Sequence, residues 1–169
     1  RAKFILGKSG KPGDILRTLQ TSKPDAIMHF AASALVGESM QNPGKYFHNN
    51  VGNGVKLLNA TVAAGVKKFV FSSSCATYGP PDHLPMTEDL PQRPINPYGE
   101  SKLMFERMLA WYQQIHGLEF VSFRYFNAAG AHSSAEIGEM HKPETHLIPN
   151  ILKAAKGKRR EVSIFGDDY

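Results

Sequence analysis

The chain reads as an α/β fold, a parallel sheet covered by helices. Three observations predict it. Strand and helix signals alternate along the 169 residues. The strand candidates are apolar throughout, as in strands buried on both faces. Three of them run directly into small residues, hydroxyls or an amide, the pattern of a ligand crevice at the carboxyl ends of parallel strands. Those endings are Phe30-Ala31-Ala32-Ser33-Ala34, Ser72-Ser73-Ser74, and Arg124-Tyr125-Phe126-Asn127-Ala128-Ala129-Gly130.

The elements follow in order. Ala2-Lys3-Phe4-Ile5-Leu6-Gly7 reads as a strand, and Lys8-Ser9-Gly10-Lys11-Pro12-Gly13 as loose chain. Ala26-Ile27-Met28-His29-Phe30 is a short apolar run after Lys23-Pro24-Asp25, which predicts a buried strand. Pro43 opens a helix reaching about Ala64, with Tyr46, Val51, Val55, Leu58 and Val62 at roughly helical spacing and Gly65 to end it. Lys68-Phe69-Val70-Phe71-Ser72 is the next strand, and a loop rich in Pro and Gly covers Tyr78 to Pro97. Asn96 is a good N-cap and Pro97 suits the first helical position. The helix they start carries Met104, Met108, Trp111, Tyr112 and Ile115 on one face, read as core, and ends near Gly117. Glu119 to Phe123 is a strand, Leu147 to Lys156 a short helix, and Val162-Ser163-Ile164-Phe165 a last strand. With a strand at each end and no initiator methionine, we expect a middle piece of a longer protein.

Composition removes several classes. The formal charge is +5, and the basic cluster Lys153, Lys156, Lys158, Arg159 and Arg160 reads as a solvated face rather than a nucleic-acid stripe. The lone Cys75 excludes an intrachain disulfide and fits a reducing, cytoplasmic setting. No run approaches the ~18 apolar residues of a membrane span. Seven histidines are scattered without zinc-ligand spacing, so no metal site is expected.

Chemistry concentrates at Tyr98 and Lys102. Residues four apart share a helix face, so phenol and ammonium can point into one cleft. A nearby cation favours phenolate and lowers a tyrosine pKa from its usual ~10, which makes a tyrosine usable as a base. Other polar residues have plainer readings. Ser72 and Ser73 read as strand-end hydroxyls satisfying backbone, His29 as a core histidine, Cys75 and Tyr78 as loop-shaping, and His132 and His141 as loop residues.

Around this pair the sequence resembles the extended short-chain dehydrogenase/reductase family, in its nucleotide-sugar 4-epimerase group. The matching pieces are His29-Phe30-Ala31-Ala32, Val36-Gly37-Glu38-Ser39, Asn49-Asn50-Val51, Phe71-Ser72-Ser73-Ser74 and Tyr78-Gly79. They continue with Asn96-Pro97-Tyr98-Gly99, Ser101-Lys102, Arg124-Tyr125-Phe126-Asn127 and Gly130-Ala131-His132. Glu144-Thr145-His146-Leu147-Ile148-Pro149 and Ile164-Phe165-Gly166-Asp167-Asp168-Tyr169 complete the set. The resemblance implies a Rossmann-type doubly wound parallel sheet. Residues 1–126 would form the central and C-terminal part of an NAD-binding domain, and 127–169 the beginning of a smaller substrate-binding domain. It implies tightly held NAD, a UDP-hexose substrate, and interconversion of UDP-glucose and UDP-galactose through a 4-keto sugar. By resemblance Tyr98 takes the proton of the sugar 4-hydroxyl. Lys102 holds the nicotinamide ribose and depresses the Tyr98 pKa, and Ser74 hydrogen-bonds the reacting oxygen. Phe30, Ala31, Ala32, Ser33, Ala34, Asn49 and Phe126, with Ser74, Tyr98 and Lys102, match cofactor contacts. Asn127, His146, Leu147, Ser163, Ile164 and Phe165, with Ser74 and Tyr98, match positions around the nucleotide sugar. The family's frequent dimer would use the helices near 43–64 and 98–116.

The chain departs from the family in places. The glycine-rich phosphate loop and the acidic residue for the adenine ribose fall before its first residue. Lys8 stands where the family usually has aspartate, and Ala34 where some members have lysine. The uridine-phosphate arginines would lie beyond Tyr169, so we expect the segment alone to be inactive. A 4,6-dehydratase places an Asp-Glu pair after the serine strand, where this chain has Cys75-Ala76-Thr77. A nucleotide-sugar decarboxylase, a uronate epimerase and a non-catalytic NAD(P)-binding regulator remain alternatives, although a regulator has no need of Ser74, Tyr98 and Lys102 together.

Overall fold

The computed structural model describes residues 4, 5, 7, 11–142 and 144–164. In chain order they form α1 (Pro12–Ser22), β1 (Ile27–His29), α2 (Val36–Gln41), α3 (Pro43–Tyr46), a π-helical segment (Phe47–Gly52) and α4 (Asn53–Ala63). Then come β2 (Lys68–Ser74), a 3₁₀ turn (Cys75–Thr77), α5 (Pro97–His116), β3 (Glu119–Tyr125) and α6 (Leu147–Ala155). The chain divides into two compact units, Arg1–Phe126 and Asn127–Tyr169.

The first unit is built on a three-stranded parallel sheet in the order β1-β2-β3, as the apolar strands predict. Phe69 and Phe71 of β2 are almost fully enclosed against Leu58 of α4 and against Phe105 and Leu109 of α5, with Leu118 below them. Gly54 permits the crossing of α4 and α5, because a Cβ there would lie 2.4 Å from the Phe105 ring. The register aligns Met28, Val70 and Val121, and on that line Met28 and Val121 are exposed.

Several expectations are corrected. The segment read as loose contains α1, started by Pro12 and ended by Lys23 in the left-handed conformation. Its signal was Pro12 at the first turn followed by Ile15, Leu16 and Leu19 at helical spacing. Phe4, Ile5 and Gly7 form no strand, and Ala2, Lys3 and Leu6 lie outside the described residues. Val162, Ser163 and Ile164 likewise form no strand, and Phe165 lies outside the described residues. A strand needs a ladder partner as well as apolar residues, and none pairs with either described stretch. The single helix expected over 43–64 is two α-helices, α3 and α4, joined by a π-helical segment. The core face of α5 is borne out in part: Met108 and Tyr112 pack against the core as expected, but Leu103, Phe105 and Leu109 are its buried centre, whereas Trp111 and Ile115 are mostly exposed. The 3.6-residue period allows either stripe. Phe105 and Leu109 win because they meet Phe69 and Phe71.

In the second unit α6 carries Lys153 in its last turn, where a cation suits the helix dipole. Among the described residues no helix is long and apolar enough to cross a membrane.

Candidate active site

Tyr98 stands in the first turn of α5 because the cap places it there. The Asn96 side chain accepts a hydrogen bond from the Gly99 amide at 2.8 Å, and Pro97 opens the helix. Gly99 lets this turn press onto the turn after β2; a Cβ there would stand 2.3 Å from the Ala76 carbonyl oxygen. The same contact brings the helix start to Ser74, the last residue of β2. Ser74 Oγ accepts the Ala76 amide at 3.2 Å, and the Ser74 carbonyl accepts the Thr77 hydroxyl at 3.0 Å.

Lys102 is nearly enclosed. Its Nζ donates to the Ser72 carbonyl at 2.7 Å and lies 4.9 Å from the centre of the Phe71 ring and 5.8 Å from that of Tyr98. Burial lowers the Lys102 pKa to about 8. Tyr98 is pushed above the usual range, first by burial, with the Ser74 hydroxyl pulling the other way. This corrects the expectation that Lys102 depresses the phenol pKa. The ammonium is turned to the Ser72 carbonyl, and burial disfavours phenolate. Cys75 is also raised, by burial first, which suits a loop-shaping role rather than a reactive one.

The residues after β1 form an open rim. Phe30, Ala31 and Ala34 are exposed, and Ala32 and Ser33 half-buried. Asn50 pins this rim: its Oδ1 accepts the Ser33 amide at 2.8 Å, and its Nδ2 donates to the Ser33 carbonyl at 3.0 Å and to Ser101 Oγ at 2.9 Å. Ser101 in turn donates to the Tyr98 carbonyl at 2.7 Å. Asn49 reaches Ser33 Oγ at 3.3 Å. Both asparagines lie in the π-helical segment, a kind of turn frequent at functional sites. Phe126, after β3, is exposed.

Ser73 does not satisfy backbone as expected; its hydroxyl donates to Glu106 of α5 at 2.5 Å. The reason is the register. Ser73 lies beside Arg124 on the sheet face that α5 covers, and Glu106 meets both. The role of Glu106 was missed, although Tyr98, Lys102 and Glu106 follow one another at intervals of four along one helix face.

In the second unit, Asn127 and Leu147 are exposed. His146 directly precedes α6, and its amide donates to Glu144 Oε1 at 3.0 Å. Sequence spacing showed no metal-type cluster, but the fold gathers Glu139, His141, Glu144 and His146 with side-chain ligand atoms within 4.8 Å of one another. They pair among themselves, His146 with Glu139 and Glu144, and His141 with Glu139. Lys153 stands 4.0 Å from Glu144.

The family model for the NAD dependent epimerase/dehydratase family matches residues 1–168. The chain belongs to that family. A UDP-glucose 4-epimerase of Lactobacillus helveticus is 52% identical over 169 residues, all of this chain and 51% of the relative. The crystal structure of a UDP-glucose 4-epimerase from Brucella ovis in complex with NAD superposes with a TM-score of 0.95 at 48% identity, covering 98% of this chain and 51% of that one. A Bifidobacterium longum UDP-glucose 4-epimerase in complex with NAD+ and UDP gives a TM-score of 0.89 at 38% identity, covering 96% of this chain and 50% of that one. The chain therefore spans about half the length of the relatives it matches, and the epimerase/dehydratase relationship extends along the whole of it.

Proposed function

We propose that the full-length protein carrying this chain is an NAD-dependent UDP-glucose 4-epimerase, interconverting UDP-glucose and UDP-galactose in galactose metabolism. The observation that carries this reading is the convergence of Ser74, Tyr98 and Lys102 at the carboxyl end of β2, in a chain about half identical to a relative of that name. The rim after β1 fits a dinucleotide: Ala31, Ala32 and Ala34 leave backbone open to close approach, and Phe30 and Phe126 leave apolar rings uncovered. Bound NAD would supply the acceptor, and then the donor, of the hydride at sugar C4.

The chain's own residues supply the rest. Tyr98, as phenolate, takes the 4-hydroxyl proton while the C4–H bond breaks, leaving a 4-keto sugar, and returns the proton when the hydride comes back to the opposite face. Ser74 hydrogen-bonds the reacting oxygen. Lys102 would hold the cofactor ribose. Phe30, Ala31, Ala32, Ser33, Ala34, Asn49 and Phe126 line the cofactor. Asn127, His146, Leu147, Ser163, Ile164 and Phe165 belong to the nucleotide-sugar side. Residues 1–126 serve as part of the cofactor domain and 127–169 as the start of the substrate domain. The setting is cytoplasmic, and the exposed Trp111 and Ile115 of α5 support a homodimer through the helices near 43–64 and 98–116.

The test is redox bookkeeping. An epimerase returns its hydride, so steady turnover of UDP-galactose is expected to leave no net NADH, and Tyr98→Phe to retain NAD while losing roughly a hundredfold or more in rate. Stoichiometric NADH would make the protein a dehydrogenase, water loss a dehydratase, and near-normal turnover by Tyr98→Phe would remove the base from the scheme.

A further inference from the structure

Behind the serine strand lies an ion pair that the proposed chemistry does not use. Glu106 is buried, and its carboxylate accepts four groups from three segments: Ser73 Oγ at 2.5 Å, Gln92 Nε2 at 3.1 Å, and Arg124 through Nε at 3.2 Å and Nη2 at 2.8 Å. The remaining Arg124 nitrogen donates to the Tyr78 hydroxyl at 2.6 Å and to the Glu88 carbonyl at 3.2 Å. One fork thus ties the end of β2, the end of β3, the catalytic helix and both ends of the 78–93 loop.

A buried ion pair is weak as a source of stability, because desolvation consumes most of its attraction and a well-packed apolar pair does as well. What it does supply is direction. A guanidinium fork and a carboxylate meet in few geometries, so each segment is held at a set distance from the others. Ser73 is the residue before Ser74, and Glu106 follows Tyr98 and Lys102 on the same face of α5. A shift in this clamp therefore moves the Ser74 hydroxyl relative to the Tyr98 phenol.

We propose that Glu106 and Arg124 are positioning residues that hold Ser74 in register with Tyr98 and Lys102. The proposal rests on the epimerase reading above. It requires no contact of either residue with substrate or cofactor.

The experiment replaces both charges by apolar groups of similar size, Glu106→Leu with Arg124→Met, in the full-length protein. A merely structural pair would leave a stable enzyme with parental turnover. A positioning pair leaves a protein that melts cooperatively near the parental temperature with NAD bound and KM for UDP-galactose within threefold, while kcat falls at least tenfold. Backbone amide exchange over residues 72–77 rises at least tenfold in the same variant, a readout independent of activity. A folded double variant with kcat within twofold of the parent and unchanged exchange overturns the proposal. Should the double variant not fold, Glu106→Gln decides, since it keeps size and removes charge. It is expected to show the same kcat loss at near-constant KM, and parental kcat would overturn the proposal. Failure of the epimerase reading itself is seen separately, in a parent that does not turn over or a Tyr98→Phe variant that does; amide exchange then still decides whether the clamp holds Ser74.

Discussion

Lys102 shows how one side chain carries both a cost and a capacity. Its ammonium is enclosed and meets the Ser72 carbonyl, and burial lowers its pKa from 10.5 to about 8. At about 1.4 kcal/mol per pKa unit, that drop corresponds to roughly 3 kcal/mol of unfavourable burial when the group is charged. The native state refuses a proton between about pH 8 and 10.5 that the unfolded chain binds, so this contribution to stability rises with pH across that window and costs most below pH 8. Lys102→Met is therefore expected to gain stability on the parent at pH 7, less what is lost with the Ser72 hydrogen bond. The gap should close between pH 8 and 10 in denaturant titrations, and a difference flat with pH would contradict the assignment. At this scale the sequence showed which residues meet but not where the lysine head points. The spacing of Tyr98 and Lys102 is written in the chain; the Ser72 carbonyl that captures the ammonium comes from a strand thirty residues away.

At the scale of the element, α5 was the most legible piece. Its Asn96 cap, its Pro97 start and its Gly117 stop, with φ at +65°, are all local chemistry. Its inward face was only partly legible, because the choice between two apolar stripes is made by Phe69 and Phe71 of β2. The break of the 43–64 helix into α3, a π-helical segment and α4 was hidden for a similar reason. That segment seats Asn50 against Ser33 and Ser101, neither of them local. Gly99 offers a direct test of how closely α5 must approach the serine strand. Gly99→Ala sets a Cβ against the Ala76 carbonyl oxygen, which is backbone and cannot rotate away. We expect a loss of about 1–3 kcal/mol in stability, as for overpacking elsewhere. We also expect lower turnover in the full-length protein. A thermal melt unchanged within a degree would mean that the helix start has room.

At the scale of the whole molecule, the alternation of strand and helix was enough to read a parallel α/β sheet. Among the described residues, the elements misread were those whose existence depends on a partner, the strands expected to include Phe4 and Ile5 and Val162 to Ile164. The aromatic core beside the sheet holds a titratable group. His29 lies among Phe69, Phe71 and Phe105, 5.3 Å from the Phe105 ring centre, and its pKa is lowered to about 4 by burial and then by the charge of Lys102. Between about pH 4 and 6.5 the unfolded chain binds a proton that the native imidazole refuses, so stability falls as pH drops through that range. His29→Phe is expected to flatten this acid limb in melting temperature plotted against pH, and an unaltered slope would place the titration elsewhere.

The parallel order of the sheet has a kinetic consequence. Ile27 must wait for Phe69, and Lys68 for Glu119, before either ladder gains its first pair. Each closure spends chain entropy over a whole intervening stretch before any contact repays it. No two-residue hairpin can seed this sheet, since parallel neighbours cannot be joined by one. Helices such as α5, with both ends written locally, can form early, while the strand ends that carry Ser74 and Arg124 assemble last. Tyr98 and Lys102 then share a helix face as soon as α5 forms, and Ser74, although it is synthesised before them, joins them only when β2 docks against that helix.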